Sequence, residues 1–194
     1  MRFNATSMWA ASLIMWQERL KDRVAVVVRL IQICKDLIDI HNFNSAMAIL
    51  AGLNNASVTR LKFTWAEVPK AHKKIKEQAE SLLDTAGSYK SYRTALKSTL
   101  PPLIPYLGIY LSDLTFIEDG NPNMLGPLIN FHKRRLVYRV ISEIQQCQQQ
   151  AYIITPIDQV QGVLKQLTYS NDKELYELSL IHEPRNVVDK AEIR

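Results

Sequence analysis

Apolar residues recur at three- and four-residue intervals along almost all of this 194-residue chain, and they rarely alternate. That spacing lines one face of a helix, whereas a half-buried strand needs a period of two. Trp9, Leu13, Trp16 and Leu20 follow it, and so do Val24, Val27, Val28, Ile31, Cys34 and Ile38. The run Val24–Val28 is rich enough in β-branched residues for a buried strand, but its period continues to Ile38 without a turn residue. The pattern predicts an all-α domain of roughly eight to ten helices, with no credible hairpin strands and no internal repeat.

Capping residues punctuate the pattern. Asn42 is placed to cap a helix through Phe43, Met47, Leu50 and Leu53, which Asn54-Asn55 closes. A short segment, Ser57–Phe63, leads to Trp65, and Pro69 suits the first turn of a helix carrying Ile75, Ala79 and Leu82. Gly87 sets off a helix with Tyr89, Tyr92 and Leu96. Thr155-Pro156-Ile157-Asp158 reads as a cap, a first-turn proline and an acid, and Asn171 caps a last helix that Pro184 ends.

Composition narrows the function. The chain is 47% hydrophobic and 22% charged, which supports a substantial core and argues against disorder. No apolar run approaches about 18 residues, and the N-terminus lacks a basic-then-apolar leader pattern. Cys34 and Cys147 lie in helical segments and read as buried reduced thiols, which suits a cytoplasmic chain. His41, His72, His132 and His182 lack metal-ligand spacing, and there is no phosphate loop, dinucleotide-binding glycine pattern or nucleophile elbow. Covalent catalysis is therefore not expected, nor is a cofactor or metal. The net charge is +5, with basic runs at Lys70, Lys73, Lys74 and Lys76 and at Lys133, Arg134 and Arg135. Solvated helix faces account for both runs, with peripheral association to an anionic membrane as the alternative. Nucleic acid is not expected, because no aromatics interleave with the lysines.

One segment stands apart: Pro101–Asn123, PPLIPYLGIYLSDLTFIEDGNPN. A double proline stops one helix, and an apolar run with Leu107, Tyr110 or Leu111, and Leu114 in phase ends in Glu118 and Asp119. A Gly-Asn-Pro turn follows, then a long helix with Ile129, Leu136, Val140, Ile144 and Cys147 in phase. Adjacent carboxylates on a helix point about 100° apart and make a poor acid/base pair. Acid at the end of the greasiest helix suits a wedge that carries negative charge into another molecule.

This stretch resembles the catalytic domain of Ras-type guanine-nucleotide exchange factors, the Sos- and Epac-like proteins. So do Asn42-Phe43-Asn44-Ser45, Ala48–Asn54, Val58–Lys62, Leu128–Arg135, Ile144-Gln145-Gln146 and Glu183-Pro184-Arg185-Asn186, in order over about residues 3–186 of one domain spanning 1–194. The resemblance implies an all-helical bowl from which a helical hairpin projects, with arms about 103–118 and 127–149. It implies a Ras-family small GTPase as partner, bound tightest without nucleotide. The hairpin would pry switch I from the nucleotide while the bowl grips switch II.

Residue by residue, the resemblance assigns Thr115 to excluding the GTPase's Mg²⁺ and Asp119 to mimicking phosphate. The family more often carries a larger aliphatic residue and Glu at these two places. Asn54, Tyr89, Tyr106, Ser112, Asp113, Phe116, Glu118 and Asn121 fall at GTPase-binding positions. Simpler roles stand beside some of these: a helix-end cap for Asn54, turn capping for Asp119, core packing for Tyr106. Tyr92 is expected to pack inward. Arg60 and Lys62 read as solvated charge or as steering groups for an acidic partner. Because Met1–Asn4 aligns inside the family domain, the resemblance also implies that its first helices are missing. A truncated, non-catalytic GTPase-binding module is then the alternative function. The family context adds recruitment to the inner face of the plasma membrane.

Overall fold

The computed structural model describes residues 2–187 and Ile193. Among them run helices α1 (Arg2–Met15), α2 (Leu20–Asp39), α3 (Phe43–Leu53), α4 (Ala56–Thr59), α5 (Lys62–Glu67), α6 (Lys70–Leu82) and α7 (Ala86–Ser98). Helix α8 (Leu107–Gly120), the short strands β1 (Met124–Leu125) and β2 (Leu128–Ile129), and helices α9 (Phe131–Cys147), α10 (Asp158–Lys165) and α11 (Asp172–His182) complete the order. The all-α reading holds. The helix number exceeds the expected range because Ser57–Phe63 winds into the two short helices α4 and α5.

Helix α3 is the spine of the core. It packs against both α1 and α2, burying Phe43, Ala46, Ile49, Leu50 and Leu53. The contact with α1 is close enough that a Cβ on Gly52 would stand 2.6 Å from the Ser7 carbonyl oxygen and 2.7 Å from the Ala10 Cβ. Small residues therefore line α1 at the contact, where Ala10 and Ala11 are buried, and Ile14 and Met15 bury the turn beyond them. The expected stripe through Trp9, Leu13, Trp16 and Leu20 is displaced, since α1 ends at Met15 and Trp16 turns outward to donate to the Ser170 hydroxyl at 3.3 Å. On α2 the expected stripe holds at Val27, Ile31 and Cys34, and burial pushes the Cys34 thiol up to about 12. Cys147 is only half-buried.

Several caps form as read. Asn42 Oδ1 accepts from the Ser45 N–H at 3.1 Å, and Asn171 with Glu174 makes a full capping box on α11. Thr155 does not cap α10, which starts three residues later at Asp158 with no side-chain cap bond. Pro69 stands at the N-cap of α6 rather than inside its first turn.

The last helix is tied to the bowl by buried polar groups. Glu183 accepts from the N–H groups of Phe63 and Thr64 at 3.0 and 2.8 Å and from the Thr64 hydroxyl at 2.8 Å. It thereby caps α5 from a distance, a favourable place for negative charge. Arg23, fully buried on α2, donates to the Thr64 hydroxyl at 3.4 Å and the Gln17 carbonyl at 3.0 Å, and it senses the Glu183 charge. Arg60 is half-buried and turned inward: it donates to the Ser179 carbonyl and hydroxyl and, at 2.9 Å, to the Glu183 carbonyl. His182 Nε2 lies 2.6 Å from the Met15 carbonyl and, facing an oxygen that only accepts, carries the proton.

The projecting hairpin is present, with shifted bounds. Helix α8 begins at Leu107 rather than near residue 103 because Ile104 is held in a bridge to Asn42. Its N–H donates to the His41 carbonyl at 3.0 Å and its carbonyl accepts from Asn44 at 3.3 Å. At the tip, where no strands are expected, β1 and β2 pair antiparallel around Gly126-Pro127, and Gly126 takes φ +60. That ribbon uses residues assigned to the second arm, so α9 starts only at Phe131.

Two stability predictions follow from these contacts. Gly52→Ala forces α1 off α3 and is expected to cost about 1–3 kcal/mol in urea unfolding. Glu183→Ala strands three donors, two of them fully buried, and removes charge beside Arg23; about 3 kcal/mol is expected, against well under 1 for Glu177→Ala on the exposed face of α11.

Candidate functional site

Helix α8 is anchored at its root and bare at its outer end. Tyr106, its N-cap residue, donates its backbone N–H to the Tyr92 hydroxyl at 2.8 Å. Tyr92 packs inward as expected, edge-on to Phe43 with ring centroids 5.3 Å apart, and burial pushes its phenol up to about 12. The Tyr106 ring lies over Gly108, where an added Cβ would come within 2.4 Å of it. Phe3 and Tyr89 flank that ring at 5.5 and 6.0 Å between centroids, so Tyr106 packs in an aromatic group yet keeps an accessible edge. Tyr89 stands at φ +62, the last of three left-handed residues with Gly87 and Ser88.

Beyond the root only Ile109 and Tyr110 of α8 are buried, while Leu111 and Phe116 are 64% and 73% exposed. Apolar side chains this open on a helix mark a surface built for a partner. Ser112 and Thr115 donate their hydroxyls to carbonyls one turn back, Gly108 and Leu111, each at 3.0 Å. With its hydroxyl spent on its own helix, the exposed Thr115 presents its methyl group to solvent.

The two adjacent carboxylates have separate tasks. Glu118 pairs with Lys133 at 2.8 Å, and that ammonium, buried to 1% exposure, also donates to the Glu118 carbonyl at 3.2 Å. The hydrogen bond from Lys133 holds the Glu118 carboxyl below the ordinary carboxylate range. Asp119 is exposed and takes no ion-pair partner among the described residues. The helix turn of about 100° per residue separates them, aiming one acid at α9 and leaving the other for solvent.

Asn121 donates to the Ile117 carbonyl at 3.0 Å and closes the end of α8. Asn130 caps α9 by accepting from Lys133 N–H at 3.2 Å and crosses the turn to the Pro122 carbonyl at 2.8 Å. Asp113 faces the bowl: both of its oxygens accept from Arg93, at 2.9 and 2.8 Å. The sequence carries no local signal for Arg93, whose partner lies twenty residues away. Asn54 forms the exposed C-cap of α3, while Asn55 does the capping of α4 by accepting from Ser57 N–H at 2.9 Å. Among the described residues no cluster of three or more His, Cys, Asp or Glu is placed to hold a metal, and no helix is long and apolar enough to cross a membrane.

Thr115, Phe116 and Asp119 thus gather at the outer end of one helix, with Tyr89 and Tyr106 at its root and Asn54 on the bowl. Residues 1–135, which contain all of these positions, match the RasGEF domain. The Ras guanine nucleotide exchange factor R of Dictyostelium discoideum is 48% identical over 185 residues, covering 95% of this chain and 11% of that protein. Exchange factors K and J of the same organism are 44% and 42% identical, covering 96% and 95% of this chain and 12% and 23% of their own lengths. This chain therefore spans about a tenth to a quarter of the length of these three relatives. A domain match over most of the chain, joined to close identity along nearly all of it, places this protein in the RasGEF domain family.

Proposed function

We propose that this domain is a guanine-nucleotide exchange factor for a Ras-family small GTPase, and that α8 is the element that opens the nucleotide site. The carrying observation is the bare outer end of α8. There the Asp119 carboxylate, unpaired among the described residues, the Thr115 methyl and the Phe116 ring project together while the neighbouring acid is locked away on Lys133.

A GTPase holds its nucleotide through phosphate contacts and a Mg²⁺ ion, the largest local charge in that pocket. An apolar group lodged where the ion sits leaves it no room. An anionic oxygen beside the phosphate-binding loop then gives that loop's cation and hydroxyl a substitute partner. Thr115 fills the first role and Asp119 the second. Phe116 and the rest of the exposed apolar surface of α8 prise switch I, while Asn54 and Tyr89 face switch II.

The energetics require no covalent step. Picomolar nucleotide binding is worth roughly 16 kcal/mol, and the factor need not match it. It must only bind the empty GTPase more tightly than the loaded one, and each ~1.4 kcal/mol of coupling weakens nucleotide affinity tenfold. By the same reciprocity incoming nucleotide expels the factor, so the direction of exchange follows the nucleotide supply.

The test is release of fluorescent GDP from a panel of Ras-, Rap- and Ral-type GTPases. Acceleration of at least one is expected. No acceleration of any, with binding retained, leaves the reading as a non-catalytic GTPase-binding module. Asp119→Ala is expected to slow release about 10- to 100-fold, the loss of one charge-assisted hydrogen bond, with unchanged helical circular dichroism.

A further inference from the structure

The wedge works at the end of a lever, and two hydrogen-bonded ties join that lever to α7 beside the Tyr89–Tyr106 ring contact. One is at the root, where Tyr106 N–H meets the Tyr92 hydroxyl at 2.8 Å. The other is Arg93, one residue along α7, which holds both oxygens of Asp113 at 2.9 and 2.8 Å. Asp113 lies seven residues beyond Tyr106, about 10 Å along the helix, and Asp119 lies about 20 Å from the same pivot. A single tie is a hinge, whereas two ties fix a direction. Between them Ile109 and Tyr110 seat the inner half of the helix, and nothing of α8 beyond Asp113 is buried. A cavity of about 560 Å³ opens beneath the hairpin root, lined in part by Leu96, Leu103, Tyr110, Glu143 and Cys147.

Each nitrogen of the guanidinium is engaged. Its two terminal nitrogens serve Asp113, and its Nε donates to the Ser88 carbonyl at 2.8 Å. Ser88 is the middle residue of the left-handed turn that presents Tyr89. Such a conformation is uncommon outside glycine and persists only where its surroundings hold it. The planar fork of arginine suits this double task, which a lysine's single ammonium cannot reproduce. The pair is about one-third exposed on each side, and the carboxylate raises the Arg93 pKa above its ordinary value.

We propose that Arg93 is a positioning residue that sets the angle of the wedge: by clamping Asp113 on α8 and the Ser88 carbonyl beside Tyr89, it fixes the hairpin relative to the bowl's gripping surface. A swing of about 10° about the Tyr106 root would carry Asp119 roughly 3 Å. Misplacement by about 1 Å is enough to cost large factors in rate. The clamp therefore governs turnover of the engaged GTPase more than its capture. The kinetic part of this inference rests on the exchange function proposed above; the geometric part does not.

Two measurements test it. In exchange assays Arg93→Met and Asp113→Asn are each expected to lower kcat about tenfold with KM within about threefold. The double variant should be no slower than the slower single, since both remove one clamp. Arg93→Lys should fall between. Losses that multiply in the double variant, or a change confined to KM, overturn the proposal. Independently of activity, nitroxide labels at Leu125→Cys on the tip and Lys70→Cys on α6, in a Cys147→Ser background, report the hairpin angle. A narrow distance distribution in the parent and a broadened one in both single variants are expected; an unchanged width overturns the clamp. If the parent accelerates no GTPase, the exchange reading fails, and the distance measurement alone decides the clamp.

Discussion

The close approach of α3 to α1 at Gly52 is the contact on which the working geometry depends. Helix α3 is about 16 Å long, and each of its ends carries a part of the candidate site. Its N-terminal end, at Asn42, bridges Ile104 and so sets where the chain enters α8. Its C-terminal end presents Asn54. The spacing between wedge root and bowl corner is thus the length of one buried helix. That helix is seated by a glycine against alanines, an arrangement with no slack because a backbone-to-backbone contact cannot adjust by changing rotamers.

The interior is more polar than a helical bowl of this size requires. Arg23, Thr64 and Glu183 are buried together, with Arg60 and His182 beside them reaching carbonyls on α11 and α1. Such groups add little net stability over apolar replacements, because removing charge from water costs nearly as much as the pairing returns. What they do here is local: each satisfies a helix end or a carbonyl that would otherwise be orphaned. Glu183 in particular gives α5 the N-terminal acceptor its own sequence lacks, since Leu61 at the N-cap has none to offer.

At the hairpin the same logic separates neighbours by task. Glu118 and Asp113 look like further acids for a partner, yet each is consumed within the protein, one by Lys133 and the other by Arg93. Their pairing makes the arms rigid, and it leaves Asp119 as the acid at the outer end of α8 without a described partner. A wedge with three loose carboxylates would present a diffuse negative field. One with a single unpaired carboxylate at the end of a braced helix presents a charge at a defined place.

The sequence by itself determined what depends on neighbours a few residues apart. Helical periodicity identified the all-α class, short-range side-chain bonds made Asn42 and Asn171 readable as caps, and the Pro101–Asn123 stretch announced the hairpin and its family. Tertiary structure decided everything that rests on contacts between distant residues. The start of α8 was set by Ile104 pairing with His41 and Asn44, and the face of α1 by the approach of Gly52. Arg60 was drawn inward by α11, although its composition reads as surface charge. The tip ribbon leaves no mark in the sequence because two residues per strand are too few to show a period. Among the candidate site residues, side-chain type alone could not tell Asp113 and Glu118 from Asp119. A carboxylate's role depends on which cation the fold brings within hydrogen-bonding distance, and Arg93 and Lys133 arrive from 20 and 15 residues away.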